Sequence, residues 1–159
     1  MTGELTRYEV DDLLLREADL LDDGDLHGWL TLFTDDAVYQ IPGSDERGAR
    51  ATAIADDDRA RLEDRVWRLT SGAAHAQIPP SRTCRFVTGV RLEDGEDGEG
   101  DARVRSRLLI VEVRRGERRG VAAHVEHRVR RVDGALRIAA KIVRLVDAAV
   151  PQHNLTFVL

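Results

Sequence analysis

VAAHVEHRVRRVDGALRIAAKIVRLV, from Val121 to Val146, decides the fold. Strand side chains alternate between two faces, so Val121, Ala123, Val125 and Val129 share one face of an extended segment over 121–131. Asp133-Gly134 is a tight hairpin signal. Leu136, Ile138, Ala140 and Ile142 resume the alternation over 136–146. The stretch reads as two half-buried antiparallel strands. After it the sequence runs to Asn154-Leu155-Thr156-Phe157-Val158-Leu159, an apolar tail where chain ends usually fray and are polar. The expectation is that this tail packs into the chain's own core or against another subunit.

Upstream, the period changes from two to 3.6. Val10, Leu14, Ala18 and Leu21, widened by Leu13 and Leu20, predict a helix over 7–22, opened by a Thr6–Glu9 capping box and ended by Gly24. Asp25 caps a second short helix carrying Leu26, Trp29, Leu30 and Phe33. Asp35-Asp36 turns the chain into a strand over 37–41, which Pro42-Gly43 stops. Residues 43–55 read as a loop. Asp56-Asp57-Asp58 starts a third helix with Leu62, Val66 and Leu69 inside, and Asp57–Arg61 and Arg59–Glu63 at pairing distance outside. Trp29 and Trp67, at helical spacing among leucines, read as core. Residues 71–80 form a second loop.

Strands follow over 82–92 and 102–114, separated by an acidic, glycine-rich turn at 94–100. The run Leu108-Leu109-Ile110-Val111 breaks alternation, which predicts a bulge or burial on both faces. Helices segregated ahead of an antiparallel sheet mark an α+β fold. A curved sheet closed on its concave side by helices is the layout of the cone-shaped NTF2-like fold. The 159 residues suggest one domain, 1–159.

Composition narrows the function. Net charge is −5, from 29 acidic and 24 basic residues, and only 4% of residues are aromatic. Neither favours nucleic acid. No apolar run approaches the ~20 residues of a membrane span, and the first residues lack a secretory pattern. Cys84 is the sole cysteine, so there is no disulfide within the chain, no four-thiolate zinc site and no cysteine-held iron–sulfur cluster. A reducing cytoplasm fits.

His124, Glu126 and His153 form a candidate iron triad, since His124 and Glu126 share a strand face. The plainer reading places them on an outer face with Arg128 and Arg130. His127 lies three residues from His124 and faces the other way. Cone folds often run acid–base chemistry in their cavity, so Asp35, Tyr39, His75 and His127 are candidates for an enzyme. Each also has a structural role open to it: a turn, a strand position, a loop and a core histidine. No phosphate loop or serine-hydrolase elbow is present.

Glu17-Ala18-Asp19-Leu20-Leu21-Asp22, Trp29-Leu30 with Leu32-Phe33, and Asp36 with Tyr39 and Pro42 resemble the small (beta) subunit of aromatic-ring-hydroxylating dioxygenases. So do Pro79-Pro80-Ser81-Arg82-Thr83 with Val87 and Val90-Arg91. The turn Arg130-Arg131-Val132-Asp133-Gly134, the strand residues Arg137-Ile138-Ala139 and Lys141, and the closing Asn154-Leu155 and Leu159 extend the resemblance over nearly the whole chain. Gly89 and Leu136 depart from residues common in the family, and 102–119 matches poorly.

The resemblance implies a non-catalytic subunit with no cofactor of its own. The dioxygenase alpha subunit would hold the Rieske iron–sulfur cluster and the non-haem iron. The small subunit would self-associate as a trimer in an alpha3beta3-type assembly for aromatic compound degradation. Arg82, Arg85 and Arg91 near the Pro79-Pro80 turn, with Phe157 and Leu159 of the tail, are the interface candidates. The alternative is a stand-alone cone-fold dehydratase, isomerase or cyclase using the Asp, His and Tyr set.

Overall fold

A computed structural model describes residues 5–44, 50–72, 79–93, 100–147 and 158–159. The chain opens with helix α1, Arg7–Asp22, and the short helix α2, Leu26–Leu30. Strands β1, Phe33–Ser44, and β2, Arg50–Asp57, precede helix α3, Arg59–Thr70. Strands β3, Arg82–Glu93, β4, Ala102–Arg114, β5, Glu117–Val132, and β6, Ala135–Leu145, complete it. The described strands form one sheet in the order β2-β1-β6-β5-β4-β3. All neighbours are antiparallel except β1 and β6. The α+β class and the helix-covered sheet are those expected.

Local signals explain most of the elements. The Thr6–Glu9 capping box forms, and Asp25 and Asp58 each cap the helix that follows. The α1 stripe of Val10, Leu13, Leu14, Ala18 and Leu21 is buried against the sheet with Trp29 of α2 and Leu62 and Val66 of α3. Burying such side chains contributes roughly 1.5–3 kcal/mol each. Arg59–Glu63 pairs at 2.8 Å.

Five local expectations are corrected. Part of the 43–55 loop is β2, an alanine-rich edge strand with little hydrophobic alternation to announce it. Asp35-Asp36 lies within β1, and Pro42 is accommodated where the β1–β2 register shifts between Ile41 and Gly43. Asp57 ends β2 instead of opening α3, so its partner is Arg65 at 2.6 Å and not Arg61. Trp67 is 63% exposed, on the side of α3 away from Leu62 and Val66. Finally, β4 alternates without a break; Leu109 points outward and is 44% exposed. The irregularity sits in the partner strand instead, between Thr88 and Arg91, where Gly89 takes a φ of +61°.

A sixth difference matters for the site. Arg128 pairs with Ala140 but Val129 with Ile138, so Ala139 is an extra residue in β6. Beyond this bulge the inward face passes to Ala139, Lys141, Val143 and Leu145. The alternation through Ala140 and Ile142 therefore picks the wrong face for the second half of that strand.

Candidate functional site

Helix α1 aims Glu17 inward from between Leu14 and Leu21, and the β6 bulge aims Lys141 at it. His127 joins them from the inner face of β5. Lys141 Nζ donates to Glu17 Oε1 at 2.7 Å, and Trp29 Nε1 donates to the same oxygen at 3.0 Å. His127 Nε2 lies 2.9 Å from Oε2. All four residues are buried. Burial alone would push the Glu17 carboxyl up; the Lys141 and His127 charges more than reverse this and hold it well below the usual carboxylate range. Burial lowers the Lys141 ammonium from its ordinary value, against the pull of Glu17. His127 Nδ1 has no hydrogen-bond partner among the described residues.

The cleft beside this network is lined by Leu14, Leu21, Val87, Leu108 and Val125, with Ser106 and Arg85 as further polar groups. Its free volume is about 20 Å³. That is room for about one water. Small-molecule sites run to roughly 300–1,000 Å³. Both Glu17 oxygens are engaged, Oε1 by two donors and Oε2 by one, so the arrangement is suited to holding α1 on the sheet.

A second set of contacts closes the core around the last two residues. Tyr39 Oη donates to the Leu159 carbonyl at 3.2 Å and lies 3.3 Å from the Leu159 amide nitrogen, which donates back. Arg85 donates to the Val158 carbonyl, and its Nη1 pairs with Asp22 Oδ1 at 2.5 Å. Val158 and Leu159 are buried. Burial pushes the Tyr39 phenol above its usual range, although the Arg65 guanidinium lies 5.9 Å from its ring.

The residues singled out in the sequence are dispersed. Asp35 is exposed on β1, Tyr39 holds Leu159, and His127 holds Glu17. His75 lies outside the described residues, as do Phe157 and His153. No acid–base set converges from Asp35, Tyr39 and His127. His124 and Glu126 do share the outer face of β5. There Arg103, Arg128 and Arg144 surround the Glu126 carboxylate at 3.6–3.8 Å. Among the described residues, no group of three His, Cys, Asp or Glu could hold a metal. Arg82 and Arg91 are exposed on β3, but the Arg85 side chain is only 2% exposed and is bound inside the chain, which corrects its reading as a docking arginine.

Glu17, Lys141 and Asp22 carry the interior network, and sequence reasoning missed them as a set. The signal for Glu17 was available: a carboxylate in register with Leu14 and Leu21 on a buried stripe. Lys141 was hidden by the bulge.

The family described as "ring hydroxylating beta subunit" matches residues 16–152. The small oxygenase component of a p-cumate 2,3-dioxygenase system from Pseudomonas putida is 37% identical over 163 residues, covering 98% of this chain and 88% of that protein. The solved beta subunit of a benzoate 1,2-dioxygenase from Burkholderia mallei superposes with a TM-score of 0.82 at 22% identity, over 98% of this chain and 99% of the other. A naphthalene 1,2-dioxygenase solved with indole in its active site gives a TM-score of 0.87 at 21% identity, over 99% of this chain and 90% of the other. At those identities the two structures speak for the fold. Among the described residues no helix is long and apolar enough to cross a membrane.

Proposed function

The chain belongs to the ring-hydroxylating dioxygenase beta subunit family, and on that premise we propose that it is a structural, non-catalytic subunit supporting assembly of a catalytic alpha subunit. The observation that carries this reading is the state of the interior. Where a cone enzyme would keep a cavity with free acid–base groups, the described residues beside Glu17 have a carboxylate bound by three donors and a cleft with space for about one water. Tyr39, the other buried candidate, is engaged with Leu159.

The donor set also speaks against a Rieske cluster here. A Rieske cluster needs two cysteines and two histidines, and the one cysteine, Cys84, is exposed on β3. The iron–sulfur cluster and the non-haem iron of the reaction belong, in this reading, to the alpha subunit. The small subunit self-associates, as a trimer in an alpha3beta3-type assembly, in the cytoplasm. Arg82 and Arg91 remain docking candidates, because arginine is enriched at interfaces and makes several directed bonds.

Co-expression with a large subunit that carries the cluster tests this. The two chains should co-purify. Arg82→Ala should weaken that association while leaving the melting curve of the isolated chain unchanged. Failure of the wild-type chains to co-purify would refute the reading.

A further inference from the structure

The outer face of the sheet carries a hollow where β1 meets β2 and β6. Pro42 has no amide hydrogen to give a neighbouring strand, and the β1–β2 pairing shifts register between Ile41 and Gly43. Small residues surround the shift. Pro42, Gly43 and Ala53 leave space beside Ile142, and the hollow measures about 380 Å³. That lies within the roughly 300–1,000 Å³ of small-molecule sites. The cleft beside Glu17, by contrast, has room for about one water.

The polar lining of the hollow is Gln40, Asp56 and Arg144. Asp56 stands opposite Gln40, and Gln40 opposite Ile142, so Asp56 lies two strand spacings, roughly 10 Å, from β6. Arg144 is two residues beyond Ile142, roughly 7 Å along the strand. An acid and a base thus hold opposite corners of an apolar floor. Neither charge is fully engaged. Gln40 Nε2 donates to Asp56 Oδ1 at 3.1 Å, which orients that carboxylate and leaves Oδ2 without a donor among the described residues. Arg144 lies 3.8 Å from Glu126, longer than a hydrogen bond, and Arg103 and Arg128 share the same carboxylate. Asp56 and Arg144 are both exposed, the Arg144 side chain by 55%.

We infer that this hollow binds a small amino acid whose amino and carboxyl groups stand at opposite ends of an apolar chain, the carboxylate on Arg144 and the ammonium on Asp56. A guanidinium matches a carboxylate with two parallel bonds. A simple anion of the same length would set its far end against Asp56 with no charge to offer, and a simple cation would do the same at Arg144. An α-amino acid carries both charges on one carbon and reaches only one corner. Pro42, Ala53 and Ile142 supply the apolar contact between the two charges. The site does not depend on the subunit reading. It lies toward the β2 edge of the sheet, whereas the docking candidates Arg82 and Arg91 lie on β3 at the opposite edge.

Titration of the purified full chain, followed by calorimetry, tests this with three probes: ε-aminocaproate, caproate and hexylamine. Wild type should bind ε-aminocaproate saturably, and each of the other two about tenfold more weakly or worse. Arg144→Gln should remove the advantage of ε-aminocaproate over hexylamine, and Asp56→Asn its advantage over caproate. Both positions are exposed, so melting curves should match wild type. Ala53→Phe fills the hollow and keeps both charges, so it should abolish binding; if that variant fails to fold, the two charge variants decide alone. The site is overturned by an absence of saturable binding, by equal wild-type affinity for the three probes, or by ε-aminocaproate binding that survives in folded Ala53→Phe or is unchanged in both charge variants.

Discussion

The two faces of one sheet treat charge and apolar surface in opposite ways. Beneath α1, a carboxylate, an ammonium and an imidazole are withdrawn from water and bound to one another at 2.7–2.9 Å. On the other side, Phe86 and Leu109 stand in solvent with arginines at either end. In an enzyme the expected arrangement is the reverse: reactive groups kept available inside, a polar surface outside. Among the described residues, the buried groups capable of chemistry hold the helix to the sheet, and the apolar surface with arginines beside it lies outward. Fold alone does not decide between an enzyme and a subunit. This inversion argues for the subunit.

The interior network depends most on Glu17. Glu17→Ala leaves Lys141 and His127 buried without their anion, so denaturant unfolding should show a loss of about 3–5 kcal/mol. Replacing Glu17, His127 and Lys141 together by leucine, leucine and methionine should cost far less, because a buried ion set exchanged whole for apolar groups is often near neutral. Equal losses in the single and triple variants would show that the network is not a set of paired charges.

Next in size is the clasp around Leu159. Leu159→Ala should lower stability by about 2–5 kcal/mol, as a buried leucine truncation does. Tyr39→Phe should cost only about 1 kcal/mol, the net worth of a hydrogen bond. An unchanged melting temperature for Leu159→Ala would mean that the last residues do not hold the core.

Acid sensitivity follows from the same interior. The Glu17 carboxyl is held below its ordinary value in the folded chain. Its contribution is therefore fully present above the unfolded value of about 4.3 and is lost as pH falls below it. Glu9, lowered to about 2 by the Thr6 backbone amide and by Arg131, changes in the same direction from an exposed position. Stability plotted against pH should fall below about pH 4 in wild type and fall less steeply in the Glu17, His127, Lys141 triple variant. Parallel curves would contradict the assignment. The smallest effect belongs outside: Trp67→Ala, at an exposed site, should change stability by less than about 0.5 kcal/mol.

Much of this was legible in the sequence because it rests on local rules. The α1 stripe, its capping box, the Asp133-Gly134 hairpin and the helix-then-sheet order each follow from periodicity or turn chemistry. β2 was not legible, since alanine-rich edge strands take their pairing from the neighbour. Lys141 was not, because a one-residue bulge reverses every later side chain and nothing local announces it. Glu17 was readable as a charge on an apolar stripe, but its partners come from residues 110 and 124 positions away. Phe86 falls in a strand and Leu109 in a run that breaks alternation, and the exposure of both depends on which face the helices cover.

Turnover by the assembled complex tests the structural role. A charge-free Glu17, His127, Lys141 triple variant, co-purified with the large subunit, should support aromatic dihydroxylation at the wild-type rate, and the isolated wild-type chain should catalyse nothing. A structural role is contradicted if the isolated chain turns over a small-molecule dehydration or isomerisation and His127→Asn, still folded, abolishes it.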